Sequence, residues 1–210
     1  MRQNPSFSFA DPEAIKQLIR DHPWATLVSD TSAGLVASHY PVLVDEDREE
    51  LSILTHFGRP DDLLHELGQH EILVVIQGPH GYISPGWYDA APAVPTWNFV
   101  TAHLRGVPEV LSAEENFAVL GRLVDHFEQR LPEPRRMLGT PADAAYAERL
   151  QQGTAGIRLT PTSITAKAKL SQNRPAHIVD SVIEHLEGEG PYRQPELAAL
   201  MRQARDRRAG

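Results

Sequence analysis

The amino-acid sequence predicts an α+β protein built on an antiparallel β-barrel, closed or split, with peripheral helices. Three observations support this. Six or seven runs rich in β-branched residues follow one another along the chain. The intervening helices do not alternate strictly with them, as a doubly wound parallel sheet would require. The 210 residues, 41% of them hydrophobic, suffice for one sizeable core but not comfortably for two.

Strands dominate the first hundred residues. Asp11 and Pro12 form a helix start, and the short amphipathic helix that follows ends at Pro23. Four strand-like runs come next, namely "WATLVS", "GLVASHYPVLV", "LSILTHF" and "EILVVIQG". They are separated by "DTSAG", by "DEDREE" and by a short helix in "PDDLLHELG". A fifth strand in "VPTWNFVTAHLRGVPEVL" should bend near Gly106 and Pro108, because proline cannot donate a ladder hydrogen bond.

Helices and two more strands complete the chain. Ser112 and Glu115 form a capping box that predicts a helix over 113–130. A second helix should run from Thr140 to Leu150, before "AGIRLTP" and "SITAKAKLS", which are interpreted as a strand pair. Asn173 should cap a further helix. We expect residues 1–187 to form one domain and residues 188–210 to form a weakly helical C-terminal tail.

Composition excludes several classes of chemistry. The chain has no cysteine, and therefore no disulfide, thiolate metal site or cysteine nucleophile. It has no stretch of about 20 apolar residues, so we expect a cytoplasmic protein without membrane helices. The 28 acidic and 20 basic residues give a net charge of −8, which weighs against direct DNA binding by the isolated chain.

The strand end at "THFGRPDD" is a candidate anion site. Thr55, His56 and Arg59 precede a helix that starts near Asp61, so backbone N–H groups and a guanidinium could bind a phosphate. The alternative is that Arg59 only pairs with Asp61 or Asp62.

Two aromatic segments could bind a planar ligand. In "VPTWNF", Trp97 offers a flat apolar face and an N–H donor, and Asn98 offers donors and an acceptor. In "HGYISPGWY", glycines flank aromatic residues, which suits either ligand stacking or a structural turn. Four histidines lie on separate strands and show no metal-binding spacing, so we predict no metal: they are His39, His56, His80 and His103.

Four segments in this order, "ASHYP", "QGPHGYISPGWY", "VPTWNF" and "KLSQNRP", resemble the PaiB-type FMN-binding negative transcriptional regulators. That family is similar to pyridoxamine-phosphate-oxidase-like split barrels. The resemblance therefore implies an antiparallel split β-barrel, and a homodimer with FMN between the two subunits. One departure is clear: relatives usually have Ala-Arg-x-Asn-Pro where this chain has "GRPDD", with Asp61 and Asp62 near the expected phosphate.

The same resemblance implies a set of FMN-binding residues. Ala37, Ser38 and His39 would lie by the isoalloxazine ring, and Thr55, His56 and Arg59 by the phosphate. Trp97 and Asn98 would come from the neighbouring subunit. The set is completed by residues of the aromatic loop and of a second polar wall: Gln77, Tyr82, Ser84, Lys169, Ser171, Gln172 and Asn173.

The sequence identifies no catalytic group. A flavoprotein does not require one for electron transfer, because a flavin carries its own redox chemistry. We therefore expect an FMN-binding homodimer with an oxidoreductase or regulatory role. Two alternatives remain open: a transcriptional repressor that acts without flavin, and a haem-binding split barrel for which scattered histidines are the support.

Overall fold

The structure is a computed structural model that describes residues 1, 4–88 and 92–209. The chain forms two compact units. Unit 1 comprises Met1–Asp11, Gln77–Ala102 and Thr165–Gly210, and unit 2 comprises Pro12–Ile76 and His103–Ile164. The domain boundary that the sequence suggests at residue 187 stays a prediction.

The described chain contains ten strands in two sheets. They are β1 (Ser8–Phe9), β2 (Trp24–Thr31), β3 (Gly34–Pro41), β4 (Leu43–Val44), β5 (Ile53–Gly58), β6 (Ile72–Ile83), β7 (Thr96–Gly106), β8 (Glu109–Val110), β9 (Thr154–Leu159) and β10 (Ser163–Lys169). The six-stranded sheet has the order β1-β10-β7-β6-β2-β3, and the four-stranded sheet has the order β4-β5-β9-β8. Every pairing whose register is resolved is antiparallel.

Within the same described residues, six α-helices accompany the sheets. They are α1 (Pro12–Asp21), α2 (Asp61–Leu64), α3 (Ala113–Glu128), α4 (Pro141–Leu150), α5 (Ala176–Glu187) and α6 (Pro195–Ala209). Short 3-10 turns occur at Pro5–Phe7, Pro85–Trp87 and Gln151–Gly153. The α+β fold class is confirmed, and two separate open sheets among the described residues correspond to the split rather than the closed form of the barrel.

A local sequence signal explains where the long helix of unit 2 begins. The capping box is confirmed: the Ser112 hydroxyl accepts from the Glu115 backbone N–H, and the Glu115 carboxylate accepts from the Ser112 N–H. The helix behind it, α3, packs against β5 and β9. One cluster of buried side chains joins this helix to the sheet: Leu43, Leu54, Leu111, Val119 and Leu123.

In unit 1, α6 packs against α5. The segment for which the sequence predicts only a weakly helical tail carries Leu197, Ala198 and Met201, all fully buried. These side chains give the terminal helix an apolar anchor. Burying a side chain such as Leu197 is worth about 1.5–3 kcal/mol.

Two local predictions are corrected. The strands in "AGIRLTP" and "SITAKAKLS" do not pair with each other, because β9 lies between β5 and β8, while β10 lies between β1 and β7. The helix after "KLSQN" begins at Ala176 with Pro175 at its N-cap and no side-chain cap, so Asn173 does not cap it. Proline has no side-chain acceptor, so the N–H groups of the first turn receive no side-chain cap from this position.

Candidate functional site

In unit 2, Arg59 is already engaged by the protein. Its Nη1 donates to Asp62 Oδ2 at 2.6 Å, and its Nε donates to the Thr154 carbonyl at 3.3 Å. Asp62 is buried, whereas half of the Arg59 side chain is exposed. This is the pairing that the sequence allows as the alternative to a phosphate site. The Nη2 atom of Arg59 makes no hydrogen bond to the described residues.

The second carboxylate, Asp61, collects hydroxyl donors. Its Oδ2 accepts from Ser38 Oγ at 2.9 Å and from the Tyr40 phenol at 2.7 Å. These hydrogen bonds, first from Tyr40 and then from Ser38, lower the pKa of Asp61 and keep it ionised. Burial and the bond to Asp61 raise the pKa of Tyr40, whose oxygen also accepts from the Gly58 N–H at 3.2 Å.

A fully buried histidine, His65, extends this network. Its Nδ1 lies 2.8 Å from Ser29 Oγ and its Nε2 lies 3.0 Å from Ser38 Oγ. An ionised Asp61 can only accept, so the single Ser38 proton points to it. Ser38 must then accept from Nε2–H, and Nδ1 accepts from Ser29. Burial lowers the pKa of His65, which favours the neutral ring that this arrangement requires.

The other predicted phosphate ligands are also satisfied or buried. Thr55 is fully buried and donates to the Pro41 carbonyl at 2.7 Å. His56 Nδ1 is buried without a hydrogen-bond partner among the described residues. Burial also lowers the pKa of His56 and favours the neutral ring.

The predicted ring-side residues lie on β3, at the edge of the six-stranded sheet. Ala37 and His39 are exposed, and Ser38 between them is half-buried in the Asp61 network. His39 stacks on Trp24, with ring centroids 6.4 Å apart. Trp24 is 63% exposed and Leu35 is 78% exposed, so this edge presents apolar surface to its surroundings.

In unit 1, Lys169 is fixed by neutral oxygens. Its Nζ donates to Thr96 Oγ1 and to the Trp97 carbonyl, the latter at 2.9 Å. Among the described residues it has no carboxylate partner. Burial, together with the nearby cations Lys167 and Arg174, lowers the pKa of Lys169. This lysine therefore lies in a locally positive environment that would favour an anionic group.

Aromatic rings extend from the same place. Trp97 is 55% exposed, stacks on His80 at 6.4 Å and meets the edge of Tyr82 at 6.1 Å. Tyr82 also contacts Tyr192, at 5.0 Å. The residue whose carbonyl binds Lys169 thus also carries an exposed indole, so a stacking face and a cation occur in the same segment, which suits a planar anionic ligand.

Asn98 and Ser171 serve the interior of unit 1. Asn98 is fully buried and donates from Nδ2 to Ser171 Oγ at 2.9 Å, and its amide also lies 3.4 Å from Met201 Sδ. Ser171 is itself buried, with a left-handed backbone at φ 59°. The predicted pair with Trp97 is thus split: the indole faces outward, while the Asn98 amide binds the loop after β10.

The remaining predicted ligands differ in their hydrogen bonds and in their exposure. Gln172 folds back on the backbone, accepting from Leu170 N–H at 2.7 Å and donating to Ala168 and Ser6 carbonyls. Ser84 caps the turn Pro85–Trp87 by accepting from the Gly86 N–H at 3.2 Å. Exposed side chains remain at Gln77, which lies near His80, and at Asn173.

Sequence reasoning missed two participants. His65 and Tyr40 became visible only when the fold placed them against Ser38 and Asp61. A weak signal existed for Tyr40, since "ASHYP" places it two residues after Ser38 and therefore on the same face of β3. Nothing in the sequence marks His65 among ten histidines.

Residues 1–163 match the model of a family described as "Putative FMN-binding domain". The protein belongs to this FMN-binding family. Over 197 residues the chain is 29% identical to the protein "Protease synthase and sporulation protein PAI 2" of Bacillus subtilis, covering 93% of each chain. The resemblance to the regulator family is thereby confirmed.

Solved structures agree on the fold of the FMN-binding family member. The "Flavocytochrome Anf3" from Azotobacter vinelandii superposes with a TM-score of 0.58 at 17% identity, covering 80% of this chain and 72% of its own. The "FAD and Heme binding protein" from Mycobacterium smegmatis gives 0.56 at 16% identity, covering 77% and 73%. At these identities the likeness concerns the fold alone.

The donor set of this FMN-binding protein fits FMN better in unit 1 than in unit 2. FMN has a flat ring with polar edges and a phosphate of about −1.5 to −2 charge. Near Arg59, the carboxylates of Asp61 and Asp62 outnumber the one guanidinium. Lys169 carries a charge that no carboxylate offsets among the described residues, and Trp97 supplies the stacking face.

Two further structural findings concern the described part of the chain. No helix there is long and apolar enough to cross a membrane. No three side chains of histidine, aspartate or glutamate come together in a way that could hold a metal ion.

Proposed function

We propose that the protein is an FMN-binding homodimer whose flavin exchanges electrons. The observation that carries this proposal is Lys169, which donates to Thr96 and to the carbonyl of Trp97 without a carboxylate partner in the described residues, while the indole of the same Trp97 is exposed. Trp97 would stack on the ring, and Lys169 would stabilise negative charge on the phosphate or on the reduced ring. When bound, FMN supplies the hydride or one-electron chemistry that the side chains lack.

Exposed apolar surface supports the dimer. Trp24 and Leu35 at the β2–β3 edge and Trp97 in unit 1 all leave more than half of their side chains uncovered. Trp87 and Tyr88 of the aromatic segment contribute less, because Trp87 is half-buried and Tyr88 is buried. Interface cores are enriched in such aromatic residues.

Any regulatory role would be indirect. The Bacillus relative's name refers to protease synthesis and sporulation, which supports a regulatory setting. The net charge of −8 opposes binding to a polyanion. A metabolite or a partner protein would then link the flavin to gene expression. The cytoplasmic location expected from the sequence belongs to this proposal.

Absorbance and light scattering test the proposal directly. Purified protein, reconstituted with FMN where necessary, should show flavin bands in the near-ultraviolet and blue regions and should scatter as twice the 23.3 kDa chain. Trp97→Ala should weaken FMN binding about tenfold, since a stacked aromatic pair contributes about 0.5–1.5 kcal/mol beyond its buried area. Tyr146→Ala, which removes an exposed aromatic side chain on α4, is the matched control for FMN affinity.

The same measurements could contradict the proposal. A particle of 23.3 kDa at micromolar concentration would exclude the homodimer. A Soret band in place of flavin bands would favour the haem-binding alternative. Absence of FMN binding, together with a salt-resistant, sequence-dependent shift of DNA mobility, would favour a repressor that acts without flavin.

A further inference from the structure

A cavity of about 260 Å³ lies within unit 1, apart from the residues discussed so far as FMN ligands other than Gln172. It is formed by α5, by α6 and by the segment that links β10 to α5. All of its lining residues follow residue 163, where the match to the FMN-binding family ends. The family match therefore assigns no role to this cavity.

The floor of this cavity is apolar. Leu170, Val179 and Met201 line it and are themselves almost completely buried, so their positions are fixed by packing. Pro175 and Ala176 also line it and are exposed, so the cavity is open to solvent on their side. An apolar ligand that covers such a floor is favoured, because both surfaces then leave water.

Both arginines at this cavity are already engaged by the protein. Arg205 donates through Nη1 to Asp180, and through Nε and Nη2 to Asp206 at 3.0 and 2.8 Å. Arg174 lies over the Tyr88 ring, 5.3 Å from its centroid, and interacts with a further group of the chain. An anionic ligand would have to compete with these partners while its own charge lost water. The charges at the cavity therefore do not select an anion.

The third polar side chain that lines the cavity, Gln172, is satisfied in the same way. Its amide oxygen accepts from the Leu170 N–H at 2.7 Å, and its amide nitrogen donates to the carbonyls of Ala168 and Ser6. The donors of this amide are thus in use within the chain. A cavity whose polar side chains are all engaged is complementary to a ligand without charge, since a buried charge needs a partner.

The volume of the cavity sets the size of the ligand. An apolar cavity of about 150 Å³ can bind benzene, and pockets for drug-sized molecules begin at about 300 Å³. A cavity of about 260 Å³ lies between these two values. It therefore has room for one aromatic ring that carries a short alkyl group.

We propose that this cavity binds a small, uncharged, apolar molecule of the size of an alkylbenzene. The hydrocarbon would lie against Val179 and Met201, in the space that the small side chain of Ala204 on α6 leaves open. The proposal does not depend on flavin, since every residue that it uses lies in the segment after β10.

Calorimetric titration of the full chain with three probes that share one aromatic ring tests this proposal. Toluene should bind with one site per chain. Benzoate and benzylammonium should each bind at least about tenfold more weakly, because a charge buried in the cavity would find no free partner there. The comparison separates an apolar site from a site for an anion or a cation.

Substitutions at the cavity locate the binding. Ala204→Phe should fill the space and weaken toluene binding more than about tenfold, while Ala199→Phe on the exposed side of α6 should not. Ala176→Leu should narrow the open side of the cavity and should also weaken toluene binding. Arg174→Gln tests the role of charge, and should change toluene affinity less than about threefold, because the guanidinium is not what holds the ligand.

Four results would overturn the proposal. They are no toluene binding at millimolar concentration, benzoate or benzylammonium binding as tight as that of toluene, unchanged toluene affinity in both Ala204→Phe and Ala176→Leu, and a loss of more than about threefold in Arg174→Gln. If Ala204→Phe fails to fold, Ala176→Leu decides the location, because Ala176 is exposed and a larger side chain there displaces no core residue.

Discussion

The two units each hold one cation of the predicted FMN set, and they treat it differently. In unit 2, Arg59 donates to buried Asp62, and a second carboxylate, Asp61, lies next to it in the sequence. In unit 1, Lys169 is fixed by a hydroxyl and a carbonyl, which orient its ammonium without neutralising it. The resemblance implies that Arg59 lies by the phosphate and Lys169 in a second polar wall of the site, but the structure leaves the larger uncompensated charge at Lys169.

The hydrogen bonds around the two cations differ in the same way. Unit 2 closes its polar groups into a network through Ser29, His65, Ser38, Asp61 and Tyr40, much of it buried. Unit 1 leaves exposed the indole of Trp97, the residue whose carbonyl accepts from Lys169. We therefore expect changes in the unit 2 network to affect mainly stability, and changes at Lys169 to affect mainly binding.

The largest expected effect is the loss of His65. His65→Ala should lower the free energy of unfolding by about 3 kcal/mol, because it leaves a cavity and deprives two hydroxyl groups of a buried partner. Urea denaturation measures it. His70→Ala, which removes a half-buried histidine bonded to Glu66, is the matched control and should cost much less. A loss below about 1 kcal/mol for His65→Ala would show that the network is not structural.

The next effect concerns Lys169. Lys169→Gln should weaken FMN binding by about 1.5–3 kcal/mol, or roughly ten- to a hundredfold, the usual contribution of a hydrogen bond to a charged group. Lys169→Arg should retain most of the affinity. Flavin fluorescence titration measures both, and Lys16→Gln on α1 is the control.

Riboflavin identifies the part of FMN that meets Lys169, because it lacks the phosphate. A loss for FMN alone would assign the lysine to the phosphate, and an equal loss for both flavins would assign it to the ring. No loss for either flavin would remove Lys169 from the site and contradict the distinction between the two units.

A smaller effect is expected at Arg59. Arg59→Ala should weaken FMN binding by about 1.5 kcal/mol, near the lower limit for a charged hydrogen bond, because Asp62 already competes for the guanidinium. Asp62→Asn should strengthen FMN binding by removing that competitor. Riboflavin binding should change in neither variant. If FMN and riboflavin lose equally in Arg59→Ala, the phosphate lies elsewhere.

The fold could be predicted where information is local. The capping box of α3 depends on Ser112 and Glu115, which lie three residues apart, and alternating apolar residues mark the strands without reference to distant contacts. The pairing of β9 and β10 could not be predicted in this way. Neighbouring strands in sequence often pair, but here each strand joins a different sheet.

The candidate site was predictable as a set of segments but not as a set of contacts. A polar residue at a strand start, such as Asn98, has the same sequence pattern whether it faces a ligand or a buried serine. In the structure Asn98 is fully buried, with its amide against Ser171 and against Met201 of α6. Likewise, the pairing of Arg59 with Asp62 was one of two alternatives, and the backbone geometry after β5 decides which is observed.

The smallest expected effect is the dependence of stability on pH, and it belongs to unit 2. Burial lowers the pKa of four histidines there, namely His56, His65, His103 and His126. For His65, nearby Asp61 opposes this shift and His70 adds to it. The folded protein thus holds these rings neutral at a pH where the unfolded chain, with the ordinary value of 6.5, takes up protons.

The contribution of these histidines to stability is therefore complete above about pH 6.5 and is lost as the pH falls from there toward the folded pKa values. Urea denaturation between about pH 7.5 and 5.5 should show a falling free energy of unfolding, in a window above the titration of most carboxylates. His65→Gln removes one of the proton-binding groups and should flatten the slope, whereas Gln17→Ala on the exposed side of α1 should leave it unchanged. A slope that is equally steep in His65→Gln would show that His65 is not held neutral by its burial. The two units would then differ in their hydrogen bonds but not in how burial shifts the pKa of this histidine.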